Sequence, residues 1–264
     1  MATPSIDPAR LDEAVALARA AGRETLQWYQ TPNLHVNHKG DGSPVTEADR
    51  AAERLLRSQI ASLYPNDTII GEEEPDHRGT SPNRWVLDPI DGTKAFTHGV
   101  PLFANLVAYF DEHGPAIGVI NLPALDETIY AGRGLGCFFN GTLCHVSATT
   151  EIANAYVCTS GLDNWPAAKL AEFAGTVKLR TWGDAYGYAL VATGRVDAMI
   201  DPEIAYYDVA AMLTILPEAG GRFSDLSGAV RANGGSGLGT NGHLHDALLA
   251  QWQLHDKPVR QPRS

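Results

Sequence analysis

The chain is poor in cysteine, in positive charge and in long apolar runs, and each shortage removes a class of protein. Three cysteines, Cys137, Cys144 and Cys158, are odd in number and form no C-x-x-C pair. A disulfide framework or a thiolate zinc site is therefore not expected, and reduced thiols in a cytoplasmic protein are. Lysine and arginine total 20 against 31 acids, for a net charge of −11 and a pI near 5.2. Such a surface repels a phosphate backbone, so nucleic acid is not the expected partner. No apolar run approaches the ~18 residues of a membrane-spanning helix. The opening Met-Ala-Thr-Pro-Ser-Ile-Asp also lacks the basic-then-apolar layout of a secretion signal. No repeat or low-complexity segment interrupts the 264 residues. That length suits one large domain or two modest halves.

What the chain does have is a dense motif, Trp85-Val-Leu-Asp-Pro-Ile-Asp-Gly-Thr-Lys-Ala-Phe96. Trp85 to Leu87 is long enough for one buried strand, which is expected to stop at Asp88-Pro89 because proline cannot continue a central strand. Asp91 follows three residues later. Two acids this close repel unless a cation lies between them, and a divalent metal suits oxygen ligands. Gly92 lets backbone approach a ligand, and Thr93 can cap a helix whose free N–H groups face an anion. Metal and anion together suggest a phosphate ester. A capped strand-to-helix turn with a solvated Asp pair would also give this string.

Upstream, Asp7-Pro8 opens a helix whose stripe is Leu11, Ala14, Val15, Ala18, Gly22, Leu26 and Tyr29. His35 and His38 fall in a polar loop with Lys39 and Gly40-Asp41-Gly42, at a spacing that matches no metal-binding helix. Thr46 and Asp49 form a capping box for a second helix with Leu55, Leu56, Ile60 and Leu63 on its apolar face. Thr68 to Gly71 reads as a strand running into Glu72-Glu73-Glu74. Downstream, Phe103–Phe110, Ala116–Leu122 and Thr128–Ala131 read as an antiparallel meander, and the glycines between 132 and 141 as hairpin turns. From about residue 150 the pattern changes. Strands near 156–160, 177–181 and 196–200 alternate with helices at 164–174, 184–193 and 207–219. Gly234-Gly-Ser-Gly lacks the strand-turn-helix setting of a nucleophile elbow and reads as a turn. An α+β half over 1–148 joined to an α/β half over 149–264 is expected, with ligands in the cleft between them.

Four separated marks, Val45-Thr46…Asp49, Gly71-Glu72-Glu73, Asp88 to Thr93 and Asp208-Val209-Ala210-Ala211, stand in the order found in the inositol monophosphatase family. The chain resembles these metal-dependent, lithium-sensitive phosphatases over about residues 7–250. Tyr207 stands where that family usually carries Trp. The resemblance implies a layered α/β/α/β/α sandwich, usually dimeric. It implies that Glu72, Asp88, the Ile90 carbonyl, Asp91 and Asp208 hold two or three Mg²⁺ ions, with Mn²⁺ able to substitute. It makes Thr93 and Asp49 the pair that orients and deprotonates the attacking water, gives Glu73 a secondary catalytic part, and sets the Gly92 and Thr93 N–H groups against the phosphate. Asp201 and Glu203 fall where the family places a substrate-contacting acid. Trp182-Gly183-Asp184 with Gly187-Tyr188 is most similar to the histidinol-phosphatase branch. Asp184, Asp201 and Glu203 would then meet a cationic leaving group, as carboxylates around a pocket prefer. An inositol-1-phosphate or broad sugar-phosphate phosphatase is the alternative enzyme. A non-catalytic phosphate-binding protein on the same fold is the alternative of another class.

Overall fold

The computed structural model describes residues 3–32, 34–40, 42 and 44–254. Met1 and Ala2 of the opening stretch, Asp41 of the polar loop and the end of the C-terminal half beyond 254 lie outside the described residues. Helix α1 (Pro8–Leu26) starts as its sequence dictates, with the Asp7 side chain accepting from the Ala9 N–H at 3.0 Å and Pro8 in the first turn. Leu11, Ala14, Val15, Ala18 and Gly22 are buried, but Leu26 is largely exposed and Tyr29 lies past the helix end. A Cβ at Gly22 would sit 2.3 Å from Asn121 Nδ2, so glycine is what lets this helix press onto the sheet below.

Strands β1 (Val36–His38) and β2 (Pro44–Thr46) form an antiparallel pair where a loop was expected, with His35 and His38 exposed. Helix α2 (Glu47–Leu63) has the Thr46/Asp49 capping box, and its buried face includes Leu56 and Ile60 while Leu63 faces solvent. A seven-stranded sheet follows: β3 (Thr68–Gly71), β4 (Arg84–Asp91), β5 (Ala104–Asp111), β6 (Gly114–Leu122), β7 (Glu127–Gly132), β8 (Gly136–Phe139) and β9 (Thr142–Leu143), in that spatial order. Only β3 and β4 are parallel; the remainder is the expected meander. The short helix α3 (Thr93–Thr97) lies between β4 and β5.

The expected stop of β4 at Pro89 does not occur. The strand runs on to Asp91, with a register shift against β5 between Asp88 and Asp91. Strand β3 ends at Gly71 beside Leu87, and the shift against β5 leaves Pro89 out of that ladder too, so its missing N–H breaks no ladder bond. The Pro89 carbonyl is meanwhile held by Asn105 Nδ2 at 2.6 Å.

The later residues form β10 (Tyr156–Cys158), α4 (Ala167–Thr176), β11 (Lys178–Arg180), α5 (Asp184–Ala192), β12 (Ala198–Asp201), α6 (Tyr206–Val209), α7 (Met212–Glu218), β13 (Arg222–Ser224), β14 (Gly237–Thr240) and α8 (His245–Gln253). Their five strands order as β11-β10-β12-β14-β13, parallel at the first two junctions and antiparallel at the last two. The single helix expected over 207–219 is broken into α6 and α7, and Gly234 to Ser236 make a turn before β14.

Side-chain alternation along the strands decides the layers. Trp85 and Leu87 of β4 face α1 and α2, whereas Val86 faces the other way, towards α5 and α7. Those two helices also pack on Met199 and Phe223 of the second sheet, whose far face carries Phe173 of α4 and Leu248 and Trp252 of α8. The result is a helix–sheet–helix–sheet–helix sandwich. Parallel neighbours β3 and β4 end on the same side, which brings Glu72, Asp88 and Asp91 to one place beside α5 and α6.

Candidate active site

Asp88 and Asp91 project from the shifted end of β4, and Asp208 comes from α6 across the cleft. Carboxylate oxygens of these three lie within 4.8 Å of one another. Asp88 is 1% and Asp91 8% exposed, and Asp88 Oδ1 has no hydrogen-bond partner among the described residues. Burial pushes both carboxyls well above the usual range, and their acidic neighbours add to it: Glu72, Asp91 and Asp208 on Asp88, and Asp184 with Asp208 on Asp91. Burial likewise raises Asp208, although the Ala205 N–H donates to its Oδ2 at 3.0 Å. Two buried acids, with half-buried Asp208 and Glu72 beside them, are costly around an orphaned oxygen without a cation. A hard divalent ion is the group that fits, since every donor is a carboxylate or carbonyl oxygen and none is sulfur or imidazole.

Glu72 follows directly on β3 and faces the same space. Burial pushes its carboxyl up to about 7, against the pull of Lys39. Lys39 Nζ is 2.5 Å from Glu72 Oε1 and 2.5 Å from Glu73 Oε1. Burial works against that ammonium, but the two carboxylates outweigh it and hold the lysine well above its ordinary pKa. Glu73 does not line the cavity, unlike Glu72.

Gly92, not Thr93, takes the cap position of α3, with φ of +78°. A Cβ there would lie 3.0 Å from the Leu102 carbonyl oxygen and 3.1 Å from Asp184 Oδ2. Thr93 turns its hydroxyl inward instead of capping. Its Oγ1 is 2.9 Å from the Ile90 carbonyl oxygen and 3.3 Å from Asp49 Oδ1, so its single proton can serve either. Asp49 is wholly buried and accepts from the Thr46 N–H at 2.7 Å and the Thr46 hydroxyl at 2.6 Å. Burial still raises its pKa, which makes it a stronger base than a solvated aspartate.

The opposite wall is α5. Asp184, its first residue, has φ of +54°, and Gly183 before it holds the cap position. Its N–H donates to Ser160 Oγ at 2.9 Å, and the next N–H, of Ala185, donates to Asp91 Oδ2 at 2.5 Å. Burial, then Asp201 and Asp208, push the Asp184 carboxyl up to about 7. Asp201 is raised by burial to about 6 while accepting from the Ser160 N–H at 2.9 Å and the Tyr188 hydroxyl at 3.0 Å. Glu203 stands exposed at the rim. These walls enclose about 510 Å³, lined by Glu72, Asp88, Asp91, Asp184, Asp201, Glu203 and Asp208, with Lys94 the cation among the lining residues.

The sequence alone suggested no contact with the acidic residues for Lys39, Lys94, Ser160 or Tyr188. Lys39 and Lys94 stand beside the acidic motifs, a usable signal; Ser160 and Tyr188 reach Asp201 only through the folding of β10, α5 and β12.

A five-layer sandwich with a carboxylate-lined cleft at strand ends defines the class: a metal-dependent phosphate-ester site on a sugar-phosphatase-type fold. The profile of the inositol monophosphatase family matches residues 7–257, and the chain belongs to that family. The histidinol-phosphatase of Chlorobaculum parvum is 43% identical over 235 residues, covering 86% of this chain and 90% of that one. The histidinol-phosphatase of Mycobacterium tuberculosis is 38% identical over 248 residues, covering 90% and 95%. Among solved structures, the extragenic suppressor protein suhB from Bartonella henselae superposes with a TM-score of 0.87 at 30% identity, covering 94% of this chain and 99% of that one.

Proposed function

We propose that this metal-dependent phosphoric monoester hydrolase cleaves L-histidinol phosphate to L-histidinol and inorganic phosphate, as a step of histidine biosynthesis. The observation that carries the substrate is the second wall. Asp184, held in a left-handed backbone conformation that a non-glycine residue rarely adopts, stands with Asp201 and Glu203 on the side of the cleft facing the β4 acids. A leaving group with an ammonium and an imidazole suits such a wall, and a neutral polyol does not need it. The 43% and 38% identical relatives named for this reaction support the same reading.

Glu72, Asp88, the Ile90 carbonyl, Asp91 and Asp208 would hold two or three Mg²⁺ ions, for which Mn²⁺ could substitute. Bound there, divalent ions activate water and neutralise charge on the phosphoryl and leaving oxygens. Thr93 Oγ1 would accept a proton from the attacking water while donating its own to buried Asp49, which is fixed by two bonds from Thr46. The Gly92 and Thr93 N–H groups would hold phosphoryl oxygens, and Glu73 would assist from behind Glu72. Residues 1–148 would act as the half carrying the main metal motif, and 149–264 as the half adding Asp208 and the substrate contacts. We further propose a cytoplasmic homodimer, a reading supported by the three unpaired cysteines and the family's usual assembly.

The test is phosphate release in Mg²⁺ from histidinol phosphate, inositol-1-phosphate, fructose-1,6-bisphosphate and β-glycerophosphate. The highest kcat/KM is expected for histidinol phosphate. A higher value for inositol-1-phosphate or the sugar bisphosphate would replace the substrate, and no release from any would leave a phosphate-binding protein.

A further inference from the structure

Glu53 is a buried acid that the reaction outlined above does not use. It lies on α2, one turn beyond Asp49, and is 0% exposed. Its carboxylate does not line the cavity. It faces the backbone just past β3: Oε2 accepts from the Glu73 N–H at 2.7 Å and Oε1 from the Glu74 N–H at 3.1 Å. Arg57, one turn further along α2, donates from Nε to Glu53 Oε1 at 2.7 Å and from Nη2 to the Glu74 carbonyl at 2.8 Å. The pair therefore grips both faces of the segment that follows Glu72. Gly71 belongs to the same arrangement, because a Cβ there would lie 2.2 Å from Glu53 Oε1.

The energetics favour a purpose beyond closing a turn. A fully buried carboxylate is costly even when paired, and removing one partner of such a pair is worse still. A simpler side chain could close a turn, yet here a carboxylate meets two backbone donors and a guanidinium. What it fixes is the direction of the chain immediately after Glu72, where a shift of about an ångström matters for a metal ligand.

We infer that Glu53 is a positioning residue, which with Arg57 and Gly71 holds the Glu72-Glu73 backbone so that Glu72 faces the Asp88–Asp91–Asp208 cluster. This rests on the reading of Glu72 as a metal ligand. Glu53 touches neither metal nor substrate and acts through the 72–74 backbone.

The experiment is calorimetric titration of Mg²⁺ into the full chain, with melting temperature without metal and kcat at saturating Mg²⁺ as companion readouts. Glu53→Gln keeps the shape but turns an amide N–H₂ towards groups that are already donors. Gly71→Ala keeps the carboxylate and forces it away. Each is expected to weaken Mg²⁺ binding by roughly 10- to 100-fold, the usual cost of losing a group behind a metal ligand. Because the ligands themselves remain, much of kcat should return at saturating Mg²⁺. Combining the two changes should weaken binding little more than the worse one alone, since both break the same contact. A lower metal-free melting temperature with unchanged Mg²⁺ affinity in both variants would reduce Glu53 to a fold residue and overturn the inference. Should Glu53→Gln fail to fold, Gly71→Ala decides alone. Failure of the parent reading looks different: the unmodified chain itself would not bind Mg²⁺.

Discussion

The two walls of the cleft carry the same chemical group in opposite states of satisfaction. On the β4 wall, Asp88 keeps an oxygen with no partner among the described residues and faces Asp91 and Asp208 within 4.8 Å. On the α5 wall, Asp201 takes bonds from the Ser160 N–H and the Tyr188 hydroxyl, and Asp184 is fixed through its own N–H to Ser160. Burial raises the pKa on both sides. An orphaned, crowded carboxylate is incomplete until a cation arrives, whereas a carboxylate with protein donors is already oriented and waits for a weaker, charged contact. The first wall should govern whether the reaction happens, and the second which ester is chosen.

Substitutions can break this division, and the largest effect is expected from Asp91→Asn. Turnover should vanish because Asp91 sits among Asp88, Asp208 and Asp184 and bonds to the start of α5. Relief of like-charge repulsion should leave the metal-free melting temperature level or raise it. Near-normal activity in saturating Mg²⁺ would end the metal-wall reading. Thr93→Ala comes next. It removes the hydroxyl next to Asp49, and kcat should fall by roughly 10²–10⁴, the range for a lost acid–base group, with Mg²⁺ affinity little changed. Normal kcat with weakened Mg²⁺ binding would make Thr93 a support for the Ile90 carbonyl instead.

Asp184→Asn sharpens the comparison from the other wall. Asparagine tolerates the left-handed backbone at this position, so the fold should be kept. A charge-assisted bond becomes a neutral one, and kcat/KM for histidinol phosphate should drop about tenfold while β-glycerophosphate stays level. An equal loss on both substrates would point to general damage at the start of α5.

A separate effect, on stability and not on turnover, lies away from the cleft at His245. It is buried between Ser224 Oγ at 3.0 Å from Nε2 and Thr240 Oγ1 at 3.0 Å from Nδ1, and burial, aided by nearby Arg222, pushes its pKa down to about 4. The folded state thus binds this proton less readily than the unfolded chain, whose imidazole titrates near 6.5. Its stabilising contribution is whole above that value and is lost as pH falls towards 4, by on the order of 2 kcal/mol. Thermal unfolding across this range should be flatter for His245→Gln than for the natural chain. Parallel curves would show that His245 is not what titrates.

The walls also differ in how far the sequence discloses them. The β4 wall depends on residues that neighbour one another in the chain, so Asp88, Asp91, Gly92 and Thr93 were visible as one string, and Glu72 at the end of a short strand could be placed with it. The course of β4 was not visible: Pro89 reads as a stop only if both strand edges are paired, and the early end of β3 removes that condition. The α5 wall depends on distant partners. The expected helix at 184–193 starts at Asp184, but neither the left-handed Asp184 backbone nor the Gly183 cap could be read from the string. Glu53 was hidden for another reason. It shares the buried stripe of α2 with Asp49, Leu56 and Ile60, and a charge on an apolar stripe was the signal to follow.

The division of labour is tested most directly by titrating Mg²⁺ into Asp91→Asn and Asp184→Asn side by side and following binding heat. Asp91→Asn should lose Mg²⁺ binding, and Asp184→Asn should bind like the natural chain. Equal weakening in both, or normal binding by Asp91→Asn, would contradict the account.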